Sequence, residues 1–401
     1  MFRVTAIPKT MRAVVYRGVN DLRLETVPVP QIGANELLVK VAVCGVCPTD
    51  IKKIQHGLVP PPRIFGHETA GTIVKIGASG SKTQNSKLKI QNLKVGDRVA
   101  LHHHVPCGRC HFCRHRAFAQ CATYKRTGIT AGFEPAGGGY AEYVRVLPFV
   151  LPGVVKIPAA NSFAEGAMLE PVNTILKAVK RLNLLPGDTA LVAGQGPIGL
   201  MFTKILQLAR VRVLATDLLE SRLKLAKKFG AKWTKLVSSP QSSVHSRGNR
   251  VSGLTTVDCG LATLDCAVIA VPSDAAVQQA LQLVRGGGQV LLFAHTKRNS
   301  KSTAPSPQVS PCDSRAGKAA VDCGLPTVDF SSICLDEKDL IGSYSSDFTL
   351  QAEVARLVFS RRLDVRPLIT NSFPLEQTAD AVALASHPTA GSLKILVHTE
   401  I

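Results

Sequence analysis

The feature that most constrains the fold is a glycine-rich turn between an apolar strand and a helix. Residues 194–199 read Gly-Gln-Gly-Pro-Ile-Gly, directly after the apolar run 189–193, and apolar residues then recur at helical spacing over 197–209. The first glycine of such a turn permits a tight bend, the second lets a pyrophosphate approach the backbone, and the third allows close helix packing. The helix N-terminus attracts the phosphates. The turn predicts a dinucleotide site; the alternative is an ordinary α/β turn.

Strand and helix patterns alternate after this turn. Further apolar strands occur at 211–215, 264–271 and 288–293, with helical patterns between them. This alternation predicts a parallel sheet with right-handed crossovers. Asp217 follows the second strand, about 20 residues after the first glycine, where an acid accepts hydrogen bonds from ribose hydroxyls and repels a 2′-phosphate. The acid therefore favours NAD over NADP. Before the turn, residues 11–45 alternate polar and apolar, which predicts short antiparallel strands.

Four cysteines have the spacing C-x2-C-x2-C-x7-C: Cys107, Cys110, Cys113 and Cys121. Four thiolates can close a tetrahedron around zinc, and such a site has no open position for a substrate, so its role is structural. Spacing alone does not exclude an iron–sulfur cluster. Zinc is the interpretation that fits the remaining motifs.

A second group of possible zinc ligands is spread more widely along the chain. It comprises Cys47, the pair His67-Glu68 and Glu170, and Thr49 lies two residues after the cysteine. Three protein ligands leave one position on the metal for an alcohol, whose pKa falls on binding. The Thr49 hydroxyl could then carry the proton away. The alternative for His67 is an ordinary core or surface histidine.

Composition excludes several classes of protein. The 401 residues suggest two or three domains, and 45% are apolar. No apolar run reaches the ~18–20 residues that cross a bilayer, and the first ten residues lack a signal-peptide pattern, so we expect a cytoplasmic protein. The net charge of +20 raises nucleic acid as a partner, but +8 of this excess lies in three polar stretches, 78–93, 237–256 and 297–326, that contain no aromatic residue.

Together the motifs resemble the zinc-containing medium-chain dehydrogenase/reductase family, the alcohol dehydrogenases. The resemblance runs from about Met11 to Val397 and is interrupted by the polar stretches 78–93, 237–256 and 297–326. Their Ser, Gly, Pro, Asn and Gln content is typical of loops or disordered insertions. The pair Glu170-Pro171 resembles the sorbitol and threonine dehydrogenase branch.

The resemblance implies an α/β fold with a GroES-like β-barrel catalytic domain and a Rossmann domain with a doubly wound parallel sheet. The implied limits are residues 1–170 for the catalytic domain, 171–346 for the NAD-binding domain and 347–401 for a C-terminal return to the first domain. The active site would lie in the cleft between domains, at the carboxyl ends of the Rossmann strands.

The resemblance also implies roles for individual residues. Cys47, His67 and Glu170 would hold a catalytic zinc, Glu68 would be an outer or exchanging ligand, and Asp50 would fix the tautomer of His67. The implied catalytic residues are Cys47, Thr49, His67, Glu68 and Glu170. The implied cofactor-binding residues are Thr174, Gly194, Gly196, Pro197, Ile198, Gly199, Asp217, Arg222 and Lys394. The sequence departs from the family at Lys52, where many members carry a histidine that completes the proton exit.

The implied function is zinc-dependent, NAD-linked oxidation of a secondary alcohol or polyol of the sorbitol or L-threonine type. Two zinc ions per chain and a homodimer or homotetramer are expected. The same site would catalyse the reverse reaction, so an aldehyde or ketone reductase is an alternative. A basic, zinc-binding nucleic-acid protein would leave the glycine motif and Glu170 unexplained. A catalytically inactive relative would have lost a ligand, yet all three are present.

Overall fold

The structure is a computed structural model that describes residues 6–78, 92–102, 104–127, 138–237, 263–294 and 330–399. The chain divides into two compact units. The first unit contains Met1–Arg181, Gly196–Ile205 and Tyr344–Ile401, and the second contains Leu182–Gln195 and Leu206–Ser343. The three predicted insertions, at 78–93, 237–256 and 297–326, lie almost entirely outside the described residues.

The strands are short and occur in two sets, one for each unit. They are β1 (Thr10–Gly18), β2 (Asp21–Pro28), β3 (Leu37–Gly45), β4 (Arg63–Ile64), β5 (Glu68–Ile76), β6 (Arg98–Leu101), β7 (Tyr143–Val146), β8 (Val154–Lys156), β9 (Thr189–Ala193), β10 (Arg212–Asp217), β11 (Trp233–Leu236), β12 (Leu264–Ile269), β13 (Val284–Leu292), β14 (Asp339–Gly342), β15 (Ile369–Pro374) and β16 (Lys394–His398). The α-helices span Pro48–His56, His111–Arg114, Ala122–Thr127, Phe163–Ala167, Leu169–Val179, Pro197–Leu208, Glu220–Lys228, Asp274–Leu283, Phe330–Leu335, Gln351–Phe359 and Thr378–Ser386.

The first unit is built on antiparallel sheets, as the alternation over residues 11–45 predicts. One sheet has the order β2–β1–β4, and the other has the order β15–β16–β3–β5–β6–β8 with β7 paired to β3. Side chains from β3, β5, β6 and β7 form one buried core, which includes Leu37, Val39, Ile73 and Val99. Each such burial contributes roughly 1.5–3 kcal/mol. The C-terminal strand β16 pairs with β3, so the chain ends within this unit.

The second unit is a six-stranded sheet with the order β11–β10–β9–β12–β13–β14, and every neighbouring pair is parallel. Its central strands are continuous apolar runs because both faces of a parallel sheet are covered. Leu191, Leu214 and Val290 are at most 1% exposed. The strand order reverses between β9 and β12, where open α/β sheets bind their ligands. This confirms the predicted Rossmann sheet.

The predicted domain limits can be compared with these units. The limit after residue 170 falls inside the helix Leu169–Val179, whereas the compact units change after Arg181. The limit came from the family resemblance, which does not fix the ends of individual helices. As limits of domains, residues 170 and 346 stay predictions. Among the described residues, no helix is both long and apolar enough to cross a membrane.

Candidate active site

Cys47, His67 and Glu68 form a compact group of possible metal ligands in the first unit. Cys47 caps the helix Pro48–His56, and its thiol sulfur accepts a hydrogen bond from the Thr49 amide at 3.5 Å. His67 directly precedes β5 and Glu68 begins it. One ligand atom from each of the three side chains lies within 4.8 Å of the others. Zinc accepts all three donor types, and a three-residue set leaves one position open.

A buried carboxylate orients the ring of His67. Asp50 is fully buried, and its Oδ1 and Oδ2 lie 3.1 and 3.0 Å from His67 Nδ1. Burial alone would lower the pKa of His67, but the Asp50 carboxylate and the Cys47 thiolate raise it well above its usual value. Because Nδ1 is engaged by Asp50, Nε2 is the candidate ligand atom. The predicted tautomer-fixing role of Asp50 fits this geometry.

Glu68 is held by a buried cation. Its carboxylate forms a salt bridge with the ammonium of Lys394, and both residues are at most 5% exposed. Lys394 Nζ also donates to the Val46 carbonyl at 2.9 Å. A Cβ atom at Gly45 would collide with the Glu68 carboxylate, so glycine leaves the room that Glu68 needs. Lys394 thus neutralises the metal group, and its predicted contact with a pyrophosphate stays a prediction.

Glu170 lies beside this group. It is in the first turn of the helix Leu169–Val179, is 5% exposed, and its Oε1 lies 3.4 Å from His104 Nδ1. Burial raises the pKa of Glu68, and the charge of Glu170 raises it further, so the two carboxylates interact. The resemblance implied Glu170 as the direct ligand and Glu68 as the outer one. In the described residues the compact set contains Glu68 instead, and which carboxylate binds the metal stays a prediction.

Sequence reasoning missed three residues near the group. The ring centroid of His104 lies 5.6 Å from that of His67 and 4.7 Å from that of Tyr124, on which it stacks. Burial raises the pKa of Tyr344, which also senses the charges of His67 and Cys47. These residues come from distant segments with no shared motif. The only signal was the run of histidines at 102–104, in which residue 103 lies outside the described residues.

The four-cysteine motif forms a second compact group. The sulfur atoms of Cys107, Cys110, Cys113 and Cys121 all lie within 4.8 Å of one another. The Cys110 and Cys113 sulfurs are 3.4 Å apart, and Cys121 is fully buried. Backbone amides donate to the Cys107 sulfur and lower its pKa to about 6, which favours a thiolate. Four convergent thiolates fit a closed tetrahedral zinc site, as the spacing predicts.

The glycine turn follows β9 at the point where the strand order reverses. Gly194 has φ +89°, and a Cβ atom there would collide with the side chain of Val271. Asp217 is 7% exposed; its Oδ2 accepts the Gln195 amide at 2.6 Å, and its Oδ1 accepts the Leu219 amide at 2.9 Å. The acid at the end of β10 therefore braces the turn. A glycine turn braced in this way fits a dinucleotide.

The remaining predicted cofactor residues lie on helices. The helix Pro197–Leu208 begins inside the motif and contains Ile198 and Gly199. Thr174 donates its hydroxyl to the Pro171 carbonyl at 2.8 Å, within its own helix. Arg222 lies near the start of the helix Glu220–Lys228, and its Nε is buried with no hydrogen-bond partner among the described residues. The cofactor roles of these residues stay predictions.

Comparison with known families agrees with both halves of this description. Residues 33–159 match the model of the alcohol dehydrogenase GroES-like domain, and residues 197–312 match the model of zinc-binding dehydrogenases. A sorbitol dehydrogenase of Bacillus subtilis (strain 168) is 28% identical over 398 residues, which cover 98% of each chain. A sorbitol dehydrogenase of Gallus gallus is 28% identical over 377 residues, which cover 92% of this chain and 91% of the relative.

Solved structures show the same architecture. A protein of Sinorhizobium meliloti 1021, described as a zinc-binding dehydrogenase and bound to NADP, is 25% identical to this chain, with a TM-score of 0.76. The alignment covers 98% of this chain and 100% of that protein's chain. Acetophenone reductase of Geotrichum candidum NBRC 4597, in complex with NAD, is 22% identical with a TM-score of 0.74 and covers 98% and 99%. With both family models matched and the fold shared throughout, the chain belongs to the zinc-containing medium-chain alcohol dehydrogenase family, in its sorbitol dehydrogenase-like branch.

Proposed function

We propose that this zinc-dependent alcohol and polyol oxidoreductase oxidises a secondary hydroxyl group of a sugar alcohol and transfers the hydride to NAD. The observation that carries the proposal is the convergence of the half-buried Cys47 with the buried His67 and Glu68, with one ligand atom of each within 4.8 Å of the others. The names of the relatives favour a polyol of the sorbitol type over L-threonine or a simple secondary alcohol.

The residues present fit the two groups that the reaction needs. Zinc bound by Cys47, His67 and a carboxylate would lower the pKa of an alcohol hydroxyl. Thr49 is partly buried and adjacent to Cys47, so its hydroxyl is the candidate acceptor of the proton that the alcohol loses. Asp50 holds His67 in one tautomer, and Lys394 offsets the charge of Glu68. Burial of these groups excludes water from the reacting alcohol.

The preference for NAD rests on Asp217. Its carboxylate lies at the end of β10, where one oxygen accepts the Gln195 amide of the glycine turn and the other accepts the Leu219 amide after β10. A fixed negative charge there repels a 2′-phosphate. NADP in one structural neighbour shows that the fold accommodates either nucleotide, so the choice depends on local residues of this kind.

The proposal is tested by turnover and metal content together. Purified protein is assayed for NADH formation with sorbitol, xylitol, butane-2,3-diol, L-threonine and propan-2-ol, and zinc is measured in the same sample. Turnover with polyols, together with two zinc ions per chain, supports the proposal. Turnover with L-threonine alone would overturn the substrate class. A single zinc ion without NADH formation from any alcohol would overturn the catalytic assignment.

We further propose that the protein acts in the cytoplasm as a homodimer or homotetramer and binds no nucleic acid. Support comes from the family, in which both oligomers are common, and from the location of +8 of the +20 net charge in the three polar stretches. Light scattering after gel filtration gives the oligomer. If the protein binds double-stranded DNA at physiological salt, the proposal that it binds no nucleic acid is wrong.

Asp50→Asn is expected to weaken metal binding at the Cys47 group by about 10- to 100-fold, because outer hydrogen-bond partners of ligating histidines have effects of this size. The buried carboxylate at 3.0 Å from His67 Nδ1 would become an amide that can present an N–H to the ring. The measurement is the rate of zinc release to a chelator, with Asp380→Asn on an exposed helix position as control. If Asp50→Asn releases zinc at the wild-type rate, Asp50 does not orient His67.

Asp217→Ser is expected to reduce the preference for NAD over NADP by about 10- to 100-fold, since hydrogen bonds to a charged group contribute about 1.5–3 kcal/mol. The measurement is kcat/KM for each cofactor at a fixed polyol concentration. Asp217→Asn keeps one oxygen that can accept the Gln195 amide, but it loses the charge and the oxygen that accepts the Leu219 amide. If Asp217→Asn retains the wild-type preference, the charge of Asp217 does not select the cofactor.

A further inference from the structure

A buried polar cluster adjoins the metal group in the first unit. It consists of His102, His104, Tyr124 and Ser346, and it meets Glu170 through His104. His102 and Ser346 are at most 1% exposed, and His104 is 8% exposed. Neither the zinc motif nor the glycine motif accounts for these side chains. Buried polar groups of this kind cost free energy unless they are hydrogen-bonded, so their arrangement calls for a role.

Ser346 is held firmly by its neighbours along the chain. Ser345 has φ +61° and its hydroxyl bonds the Tyr124 hydroxyl. The Asp347 amide donates to Asn173 Oδ1 at 2.8 Å, and Asn173 lies on the same helix as Glu170. The residues on both sides of Ser346 are therefore tied to the first unit. The Ser346 hydroxyl is a fixed point to which a side chain can be hydrogen-bonded.

The hydrogen-bond directions follow from chemistry. His104 Nδ1 lies 3.4 Å from Glu170 Oε1 and 3.3 Å from Ser346 Oγ. A carboxylate oxygen accepts only, so the proton must be on His104 Nδ1. Ser346 can then accept from His104 and donate its own proton to His102 Nε2, at 3.4 Å.

Charge explains why a donor is needed at this point. The Cys47 sulfur lies close to the Glu68 carboxylate, and the charge of Glu170 raises the pKa of Glu68. Lys394 pairs with Glu68, and Asp50 engages His67. A carboxylate placed beside other anions is repelled unless a donor holds it. His104 Nδ1 lies 3.4 Å from Glu170 Oε1, and the ring stacks on Tyr124 with centroids 4.7 Å apart.

We propose that His104 is a positioning residue, which Ser346 and Tyr124 hold in one orientation, and that its Nδ1–H fixes the carboxylate of Glu170 against the Cys47–His67–Glu68 group. The inference rests on the proposed function, because the group to which Glu170 is presented is the proposed metal site. It adds a hydrogen-bonded outer layer that the zinc motif does not contain. His104 acts through Glu170 and does not itself bind the metal.

The test uses two substitutions of His104. His104→Phe keeps a ring that can stack on Tyr124 and removes the N–H, whereas His104→Asn places an amide N–H where Nδ1 was. The full-length protein is loaded with cobalt in place of zinc, and the visible spectrum and the rate of metal release to a chelator are recorded. We expect His104→Phe to alter the spectrum and to speed release from one of two sites by about 10- to 100-fold. His104→Asn should stay within about threefold of wild type.

Ser346→Ala provides a second test that does not touch His104. It removes the fixed partner of Nδ1, so we expect metal release to speed up by less than it does in His104→Phe. If both His104 variants behave as wild type, the proposal is overturned. If both are affected equally, the role of His104 is its shape and the proposal is also overturned. Should His104→Phe fail to fold, Ser346→Ala with wild-type metal release would overturn it.

Failure of this inference is distinct from failure of the proposed function. If the wild type binds two metal ions and oxidises polyols, and the spectrum of His104→Phe equals that of the wild type, only the inference about His104 is overturned. If the wild type binds metal only at the four-cysteine site, the proposed function itself is overturned. Metal content of the wild type, measured first, separates the two.

Discussion

Cys47→Ser is expected to lower kcat/KM for polyol oxidation by at least about 1,000-fold. A catalytic metal stabilises the charge of the transition state by several kcal/mol, and each 1.36 kcal/mol lost lowers the rate about tenfold. Cys47 provides the only thiol sulfur of the compact set with His67 and Glu68 in the described residues. A serine hydroxyl is a much poorer ligand for zinc than a thiolate. Zinc content should fall by one ion per chain.

The matched control is Cys334→Ser. Cys334 is exposed and lies outside both cysteine groups, so its replacement should leave zinc content and turnover unchanged. Thermal unfolding of Cys47→Ser should stay close to wild type, because the four-cysteine site is intact. Retained turnover in Cys47→Ser, or loss of zinc from both sites, would contradict the assignment of Cys47 to a separate catalytic metal.

The fold was predictable because its two halves have different periodicities. Alternation over residues 11–45 gave the antiparallel strands β1–β3, and short apolar runs around the glycine turn gave the parallel strands β9, β10 and β12. These patterns are local, since they depend on which faces of a strand are buried. The order of strands in the sheet was not predictable from these patterns and comes from the structure.

The site was predictable where its residues lie in motifs. Asp50 was correctly placed against His67, and the four cysteines converge as their spacing predicts. The choice between Glu68 and Glu170 was not predictable from sequence. The structure adds a salt bridge between Glu68 and Lys394, which lies on a strand more than 300 residues later in the chain. Long-range packing of this kind leaves no trace in local spacing.

The outer layer around Glu170 was also beyond sequence reasoning. His104 appeared in a run of histidines next to the four cysteines, which suggested a relation to that motif instead. Its partner Ser346 lies in a polar stretch without any recognisable pattern. Their contact at 3.3 Å arises because the chain returns to the first unit at Tyr344. A hydrogen bond between residues so far apart is a property of the fold.

Cys113→Ser is expected to lower the stability of the first unit by at least about 3 kcal/mol, because structural zinc sites contribute about 10 kcal/mol or more where folding depends wholly on the metal. For a unit of this size the midpoint of thermal unfolding should fall by about 6–12 °C. Cys113 is 6% exposed and packs with Cys121 and Tyr124, so the loss of the metal would also expose apolar surface.

Calorimetry before and after addition of a chelator measures both effects. The chelator should destabilise the wild type and have a smaller effect on Cys113→Ser. Metal analysis that finds iron in the wild type, or an unchanged midpoint in Cys113→Ser, would show that the four cysteines do not form a structural zinc site.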